Sequence, residues 1–339
     1  MSLFLDAARG EDTPRAPIWL MRQAGRYMPE YMALKEKYTF WQLCRTPELA
    51  AQVTLQPIDF LGVDAAILFS DIMTPLSSMG ADIDFKPGPV IANPVRSQAA
   101  VDALRVPEAG EIAPYVGDAI KILRGELKVP LIGFGGAPLT LATYLVEGSG
   151  SKDYPLFRQF LYAESEAAHG LLDKLAEVSI RYLRMQVAAG AQAIQLFDSW
   201  AGLYDLERYR EFGARYARKV FEGLADLDVP RIYIAVGASH LFEAIGELPV
   251  DVFSVDWRQP LSQARAQLPE GRALQGNLDP AALLAPREQI KARAEAVLRE
   301  GLGGPHIFNL GHGIMRQSPP DHVKFLVDVV QSFDRTGGA

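Results

Sequence analysis

Arg22 and Arg26 stand four residues apart in "MRQAGRY" (Met21–Tyr27), directly after the apolar run "APIWL", with Gly25 just before the second arginine. Two permanent cations where the backbone turns suit a carboxylate, because a guanidinium matches its two oxygens as a fork and never loses its charge. The plainer reading is that both pair with surface acids such as Glu30. Other polar groups close apolar runs: Ser70 and Asp71 end "AAILFSD", and Asp198 and Ser199 end "AIQLFDS". His312 lies between two glycines in "NLGHG", an unfavourable place for a packed core histidine, since glycines let the backbone approach something closely. Asp71 and Ser199 each have a bland alternative as helix caps. Tyr144, at helical spacing in "LATY", has one as a core residue. Ser199, Asp71 and His312 could form a triad, but "FDSWAG" lacks the glycines that surround a hydrolase serine. There is no H-E-x-x-H, Cys/His cluster or P-loop. What remains is a set of cations, one carboxylate, and hydroxyl and imidazole donors. Such a set suits a substrate with several carboxylates and a group that becomes positive during reaction.

Eight apolar runs are read as strands that would position these groups: Pro17–Arg22, Ala65–Asp71, Pro130–Gly136, Ala193–Ser199, Arg231–Gly237, Val252–Trp257, Ala273–Leu278 and His306–Gly311. They are nearly continuously hydrophobic, as strands buried on both faces are. Helical patterns separate them. Asp279 and Pro280 are read as the cap and first residue of a helix with Ile290, Ala294, Val297 and Leu298 on one face. A long helix ends at Gly190, and a last one follows "SPP" with Val323, Leu326, Val327 and Val330 inward. Ala81–Val95 reads as an irregular or hairpin insertion. The alternation predicts a single (β/α)8 TIM barrel over residues 1–339, with residues 1–16 a poorly ordered N-terminal extension and the site at the C-terminal ends of the strands. A doubly wound sheet is the alternative. "GFGG" fails the dinucleotide fingerprint because Pro138 occupies the place of the third glycine.

Lys plus Arg number 34 against 41 Asp plus Glu, a net charge of −7, which argues against nucleic acid or an anionic membrane as partner. The single cysteine, Cys44, excludes intrachain disulfides and cysteine-based zinc sites and points to a reducing compartment. The N-terminus does not read as a signal peptide, and no apolar run is long enough to span a bilayer. A cytoplasmic protein is expected.

"PIWLMRQAGRY" and "GFGGAPLTLATYLVEG" (Gly133–Gly148) resemble the two signatures of the uroporphyrinogen decarboxylase family, and "FSDI", "QLFDSWAG", "LQGNLDP" and "FNLGHGI" match it in the same order. The resemblance runs from about Pro17 to about Val330. Leu139 departs from it, standing where an aromatic is usual, and "RIYIAVGASHLFE" is less typical. The resemblance implies a (β/α)8 barrel working as a homodimer, without cofactor or metal. It would convert uroporphyrinogen III to coproporphyrinogen III by removing the carboxyl groups of four acetate side chains as carbon dioxide. The family's substrate-cleft residues fall on Arg22, Arg26, Asp71, Tyr144, Ser199 and His312, with Phe134 and Phe197 as apolar lining.

On that basis Arg22 and Arg26 are expected to grip substrate carboxylates. Gly25 would let the turn aim the backbone N–H groups of Gln23, Ala24, Gly25 and Arg26 at the same anion. Asp71 is expected to stabilise an iminium-like pyrrole cation, His312 and Tyr144 to hold carboxylates, and Ser199 to donate a hydrogen bond to one. Two rivals are weighed. Corrinoid-linked methyltransferases share the barrel but use a zinc site that usually needs two cysteines. A non-catalytic tetrapyrrole carrier would keep the arginines and have no use for Asp71.

Overall fold

The computed structural model of the protein describes residues 2–85 and 88–335. Nine strands are present among them: β1 (Ala66–Ile67), β2 (Ile83–Phe85), β3 (Pro89–Ile91), β4 (Leu131–Gly136), β5 (Ala193–Asp198), β6 (Arg231–Ala235), β7 (Val252–Ser254), β8 (Ala273–Leu278) and β9 (His306–Leu310). Seven form one wholly parallel sheet in the order β1-β4-β5-β6-β7-β8-β9. Helices connect them, so this is an α/β fold whose strands are covered on both faces. Every residue of β4, β8 and β9 is buried, which accounts for their unbroken apolar character.

The sheet curls around an interior. Ile132, Ala193, Ile232, Val252, Ala273 and Ile307, from the first or second position of six successive strands, meet in one buried cluster with Ala65, Trp19 and Met21. The run Pro17–Arg22, expected as a full strand, makes a single parallel bridge, Ile18 to Phe308 of β9. Its backbone is nonetheless held on both sides: Phe308 N–H donates to Pro17 O at 2.8 Å and Asp64 N–H to Ile18 O at 2.7 Å. Asp64 also receives the Ile18 N–H and a two-point contact from Arg15 at 2.7 and 2.6 Å.

Within residues 2–16, part of the extension expected to be poorly ordered, the chain forms a helix. Leu3–Ala8 is a helix whose Phe4, Ala7 and Ala8 are fully buried in that same cluster, against the N-terminal ends of the strands. Phe4→Ala should therefore cost about 3 kcal/mol of stability, read by chemical denaturation, while the folded variant keeps its activity.

Two other expectations change. The helix expected from Pro280 is broken: Pro280–Leu284 is one short 3₁₀ turn capped by Asp279, Ala285 is extended before Pro286, and the α-helix is Arg287–Glu300. The insertion Ala81–Val95 holds the antiparallel pair β2–β3, and residues 86 and 87 between them lie outside the described residues. The glycines of "GFGG" serve packing. A Cβ at Gly133 would come within 2.6 Å of Gln186 Oε1, and one at Gly136 within 2.5 Å of Leu141. Gln186, on the long helix Ser165–Ala189, brackets Phe134 by accepting its N–H at 2.9 Å and donating to its carbonyl at 2.8 Å.

His306, within β9, is structural as its place in a strand implies. It is buried, donates Nε2–H to Gly276 O at 2.8 Å, and burial pushes its pKa down to about 4. Between pH 6.5 and about 4 the unfolded chain therefore binds the extra proton, and stability falls as pH falls through that window. This one histidine should cost about 2 kcal/mol on going from pH 6.5 to pH 5. The matching measurement is the slope of unfolding free energy against pH, which His306→Gln should make shallower.

Candidate active site

All seven strands run the same way, and the N-terminal helix covers their starts, so the open edge is the C-terminal one. Arg22 opens the turn there. Met21 N–H donates to Asn309 Oδ1 at 3.0 Å and Ile314 N–H to Met21 O at 2.9 Å, which fastens "LMR" to "NLGHGI". Arg22 has φ +62°, a left-handed conformation that costs a non-glycine residue about 1–2 kcal/mol. Its stem crosses Gly313 so closely that any Cβ there would collide with Arg22 Cγ and Cδ. Neither Arg22 nor Arg26 makes an ion pair or side-chain hydrogen bond among the described residues, so the expected alternative of pairing with Glu30 does not occur. Both are exposed.

The remainder of that turn divides. Gln23 was expected to contribute to anion binding, but it is fully buried. Its Oε1 accepts Leu20 N–H at 3.0 Å, its Nε2 donates to Ala65 O at 3.2 Å, and its own N–H is spent on Leu20 O at 2.9 Å. It shapes the turn from beneath. Ala24 and Gly25 are half-buried, and a Cβ on Gly25 would sit 3.0 Å from Arg22 O.

Asp71 lies four residues beyond β1, in a turn where its Oδ1 accepts Met73 N–H at 2.9 Å and Thr74 Oγ1 bridges Ser70 and the Asp71 N–H. Burial pushes its pKa above the ordinary carboxylate value, against the opposing pull of the Met73 N–H and the Arg22 charge. The alternative of a helix cap does not occur, since the next helix begins at Leu76 with Pro75 before it; Asp71 instead braces its own turn and is a carboxylate within electrostatic reach of Arg22. Tyr144 rides on the helix Pro138–Glu147 and packs edge-on to Tyr154 and Trp200, with both ring centroids 6.0 Å away. Burial raises its pKa, and the charges of Asp71 and Arg22 both act on it.

Ser199 follows the last residue of β5 and is half-buried. Beneath it, buried Asp198 accepts Thr140 Oγ1–H at 2.6 Å and Tyr233 O–H at 2.8 Å, and Thr140 Oγ1 also accepts Trp200 N–H at 3.3 Å. Burial lifts Asp198 to about 6, opposed by those two hydroxyls. This network ties the helix bearing Tyr144 to the turn bearing Ser199. Phe134 and Phe197, on neighbouring strands, meet edge to face with centroids 5.6 Å apart. His312 follows β9 and is half-buried, with its pKa lowered to about 4, first by burial and then by the charges of Arg22 and Arg258. It is therefore a neutral donor or acceptor at neutral pH, and a poor acid.

Arg22, Asp71, Tyr144 and His312 accordingly form one electrostatic neighbourhood, with Ser199, Phe134 and Phe197 on the adjoining strand ends. Arg26 is exposed, and its charge acts on Tyr31. The sequence reading missed Asp256, Trp257 and Arg258, which follow β7: the Trp257 ring lies edge-on to His312 at 6.3 Å. The only signal in the sequence was the polar "DWR" at a strand end. Among the described residues no group of three or more His, Cys, Asp or Glu side chains is placed to hold a metal ion. Cys44 is buried in the helix Phe40–Arg45, and burial raises its pKa well above the ordinary thiol value.

An α/β fold with exposed guanidiniums and a half-buried carboxylate at the C-terminal edge of its parallel sheet is of the class of barrel-like enzymes that build their sites at that edge. The family profile described as uroporphyrinogen decarboxylase (URO-D) matches residues 1–333. Uroporphyrinogen decarboxylase of Geobacter metallireducens is 52% identical over 330 residues, covering 96% of this chain and 97% of that protein. That of Pelobacter propionicus is 50% identical over 336 residues, covering 98% and 99%. The chain belongs to the uroporphyrinogen decarboxylase family. Among solved structures, a methyltransferase from Methanosarcina mazei superposes with a TM-score of 0.82 at 22% identity, covering 98% of each chain. A B12-independent methionine synthase from Shewanella gives 0.57 at 12% identity, covering 84% of this chain and 87% of that one. At such identities these likenesses speak to the fold alone. No helix among the described residues is long and apolar enough to cross a membrane.

Proposed function

We propose that this chain is a uroporphyrinogen decarboxylase, converting uroporphyrinogen III to coproporphyrinogen III with release of four carbon dioxide molecules. The observation that carries the mechanism is the exposed guanidinium of Arg22 within electrostatic reach of the half-buried carboxylate of Asp71, with Arg26 exposed on the same turn. The substrate is a flexible macrocycle with eight carboxylates. Arg22 and Arg26 bind some of them as forks, and neutral His312, Tyr144 and Ser199 supply hydrogen bonds to others. Phe134 and Phe197 offer the macrocycle an apolar wall.

For each acetate, a proton adds to a pyrrole ring carbon and leaves an iminium-like cation. The bond between the methylene and the carboxylate then breaks, and its electron pair flows into the ring as carbon dioxide departs. Protonation of the methylene gives a methyl, and loss of the ring proton restores the pyrrole. The net change is one proton taken up and one carbon dioxide released. Asp71, facing the pyrrole N–H groups, stabilises the cation, and its raised pKa reflects a site dry enough for that charge to count. Arg22 itself is too weak an acid to be an easy proton donor.

We read the segment around Ile18 as the eighth member of a (β/α)8 barrel in a single domain, a reading supported by its hydrogen bonds to β9 and Asp64. We place the protein in the cytoplasm, as a homodimer. The test is anaerobic turnover of uroporphyrinogen III by purified, metal-free protein, with products resolved by carboxyl count. Stepwise loss from eight to four is expected. Binding of the macrocycle without any carboxyl loss would turn the reading to a tetrapyrrole carrier.

A further inference from the structure

Two arginines fix only a fraction of a substrate with eight carboxylates, and a third guanidinium stands at the same edge of the sheet. Arg258 follows β7, and its side chain is half exposed. Despite that exposure it is held at several points. Its Nη1 donates to Asp256 Oδ2 at 2.9 Å, and its own backbone N–H donates to Asp256 Oδ1 at 2.8 Å. Its guanidinium lies over the Trp257 ring, 4.0 Å from the centroid. Asp256 is 7% exposed and also accepts the Gly237 N–H, so backbone donors already satisfy both of its oxygens without the arginine. The loop beneath is fixed in turn: Asn277 Nδ2 donates to Asp256 O at 2.9 Å and to Gln259 O at 2.6 Å. Gly311 packs against the Trp257 backbone so tightly that a Cβ there would collide with it.

An exposed arginine that merely neutralised a buried acid would not need stacking and a pinned loop. A cation held ready for an anion does, because fixing it beforehand removes the cost of ordering it on binding. One Nη1 hydrogen is spent on Asp256, and among the described residues the other guanidinium hydrogens have no hydrogen-bond partner. The charge bears on the site already described, since Arg258 and Arg22 both depress the pKa of His312. His312 thus feels the charge of both guanidiniums, and its ring lies edge-on to Trp257.

We infer that Arg258 is a further substrate-binding residue, taking a carboxylate of the macrocycle on the β7 side of His312. The inference rests on the reading of this chain as a uroporphyrinogen decarboxylase. The contact forms on binding and persists through reaction, so its loss should raise KM and leave kcat nearly unchanged.

The experiment measures anaerobic uroporphyrinogen III turnover by wild type and Arg258→Gln at several ionic strengths. Wild-type turnover comes first: if there is none, the functional reading itself fails. Given turnover, Arg258→Gln should raise KM about tenfold, the scale of one charge-assisted hydrogen bond at a half-exposed site, with kcat within about twofold. Its KM should also climb less steeply with salt than that of the wild type, because one cation no longer meets the substrate. An unchanged KM overturns the inference. So does a raised KM with the wild-type salt dependence, which is the signature of a disturbed Asp256 loop and not of a lost charge contact.

Discussion

Asp71→Asn, assayed without oxygen, should decarboxylate uroporphyrinogen at least about 100-fold more slowly than the wild type while still binding the macrocycle. The substitution is nearly isosteric, and the asparagine oxygen can keep accepting the Met73 N–H that shapes the turn. What it removes is the negative charge. In the reaction that charge faces a cation absent from the ground state, so its loss should appear in kcat, with binding of uroporphyrin, the oxidised macrocycle with the same carboxylates, left within a few-fold. The pH profile gives an independent check. Burial raises the Asp71 pKa, so the wild-type rate should fall on the acid side at a pH above the ordinary carboxylate range, as the ionised form is lost. Asp71→Asn should lack that limb. Near wild-type turnover by the variant would leave the enzyme in place but remove the carboxylate from its mechanism.

The groups that make this test possible were legible in the sequence for a definite reason. In a parallel sheet every strand delivers its last residue to the same edge, so naming the ends of apolar runs was enough to gather Asp71, Ser199 and His312. The run boundaries overshot in a systematic way. "AAILFSD" pairs only at Ala66–Ile67, and "VFSVDW" only at Val252–Ser254, because the chain leaves the ladder where it begins to build the site. The burial of Gln23 could not be read from the sequence, because a turn motif gives residue types and spacing but not burial. Its amide lies under the turn, bonded to Leu20 and Ala65, and not on the side facing the cleft. The helix Leu3–Ala8 left no periodic signal in six residues, since its order comes from inserting Phe4 into the strand starts. Arg258 was invisible for the complementary reason: an arginine after a strand reads as solvated loop until its stacking and its tie to Asp256 are seen.

Arg22→Gly should separate stability from activity in opposite directions. The position has φ +62°, where glycine pays no steric cost and arginine does, so the native chain carries strain there that a glycine would relieve. Part of that relief is offset by the greater freedom glycine has when unfolded. The variant should therefore be as stable as the wild type or more stable by up to about 1 kcal/mol, read by denaturant titration. Its kcat/KM should fall at least about 100-fold, because a two-point, permanently charged carboxylate contact disappears from the centre of the site. Arg22→Lys would restore the charge but not the fork, and should recover only part of that loss. Gly313→Ala approaches the same side chain from the other side: its methyl would collide with the Arg22 stem and displace the guanidinium without altering any charge. If displacement alone lowers kcat/KM, while Arg22→Gly leaves the fold no weaker, then the arginine occupies its strained position for the substrate and not for the protein. A variant Arg22→Gly that is markedly less stable would mean the opposite, that Arg22 holds the turn together.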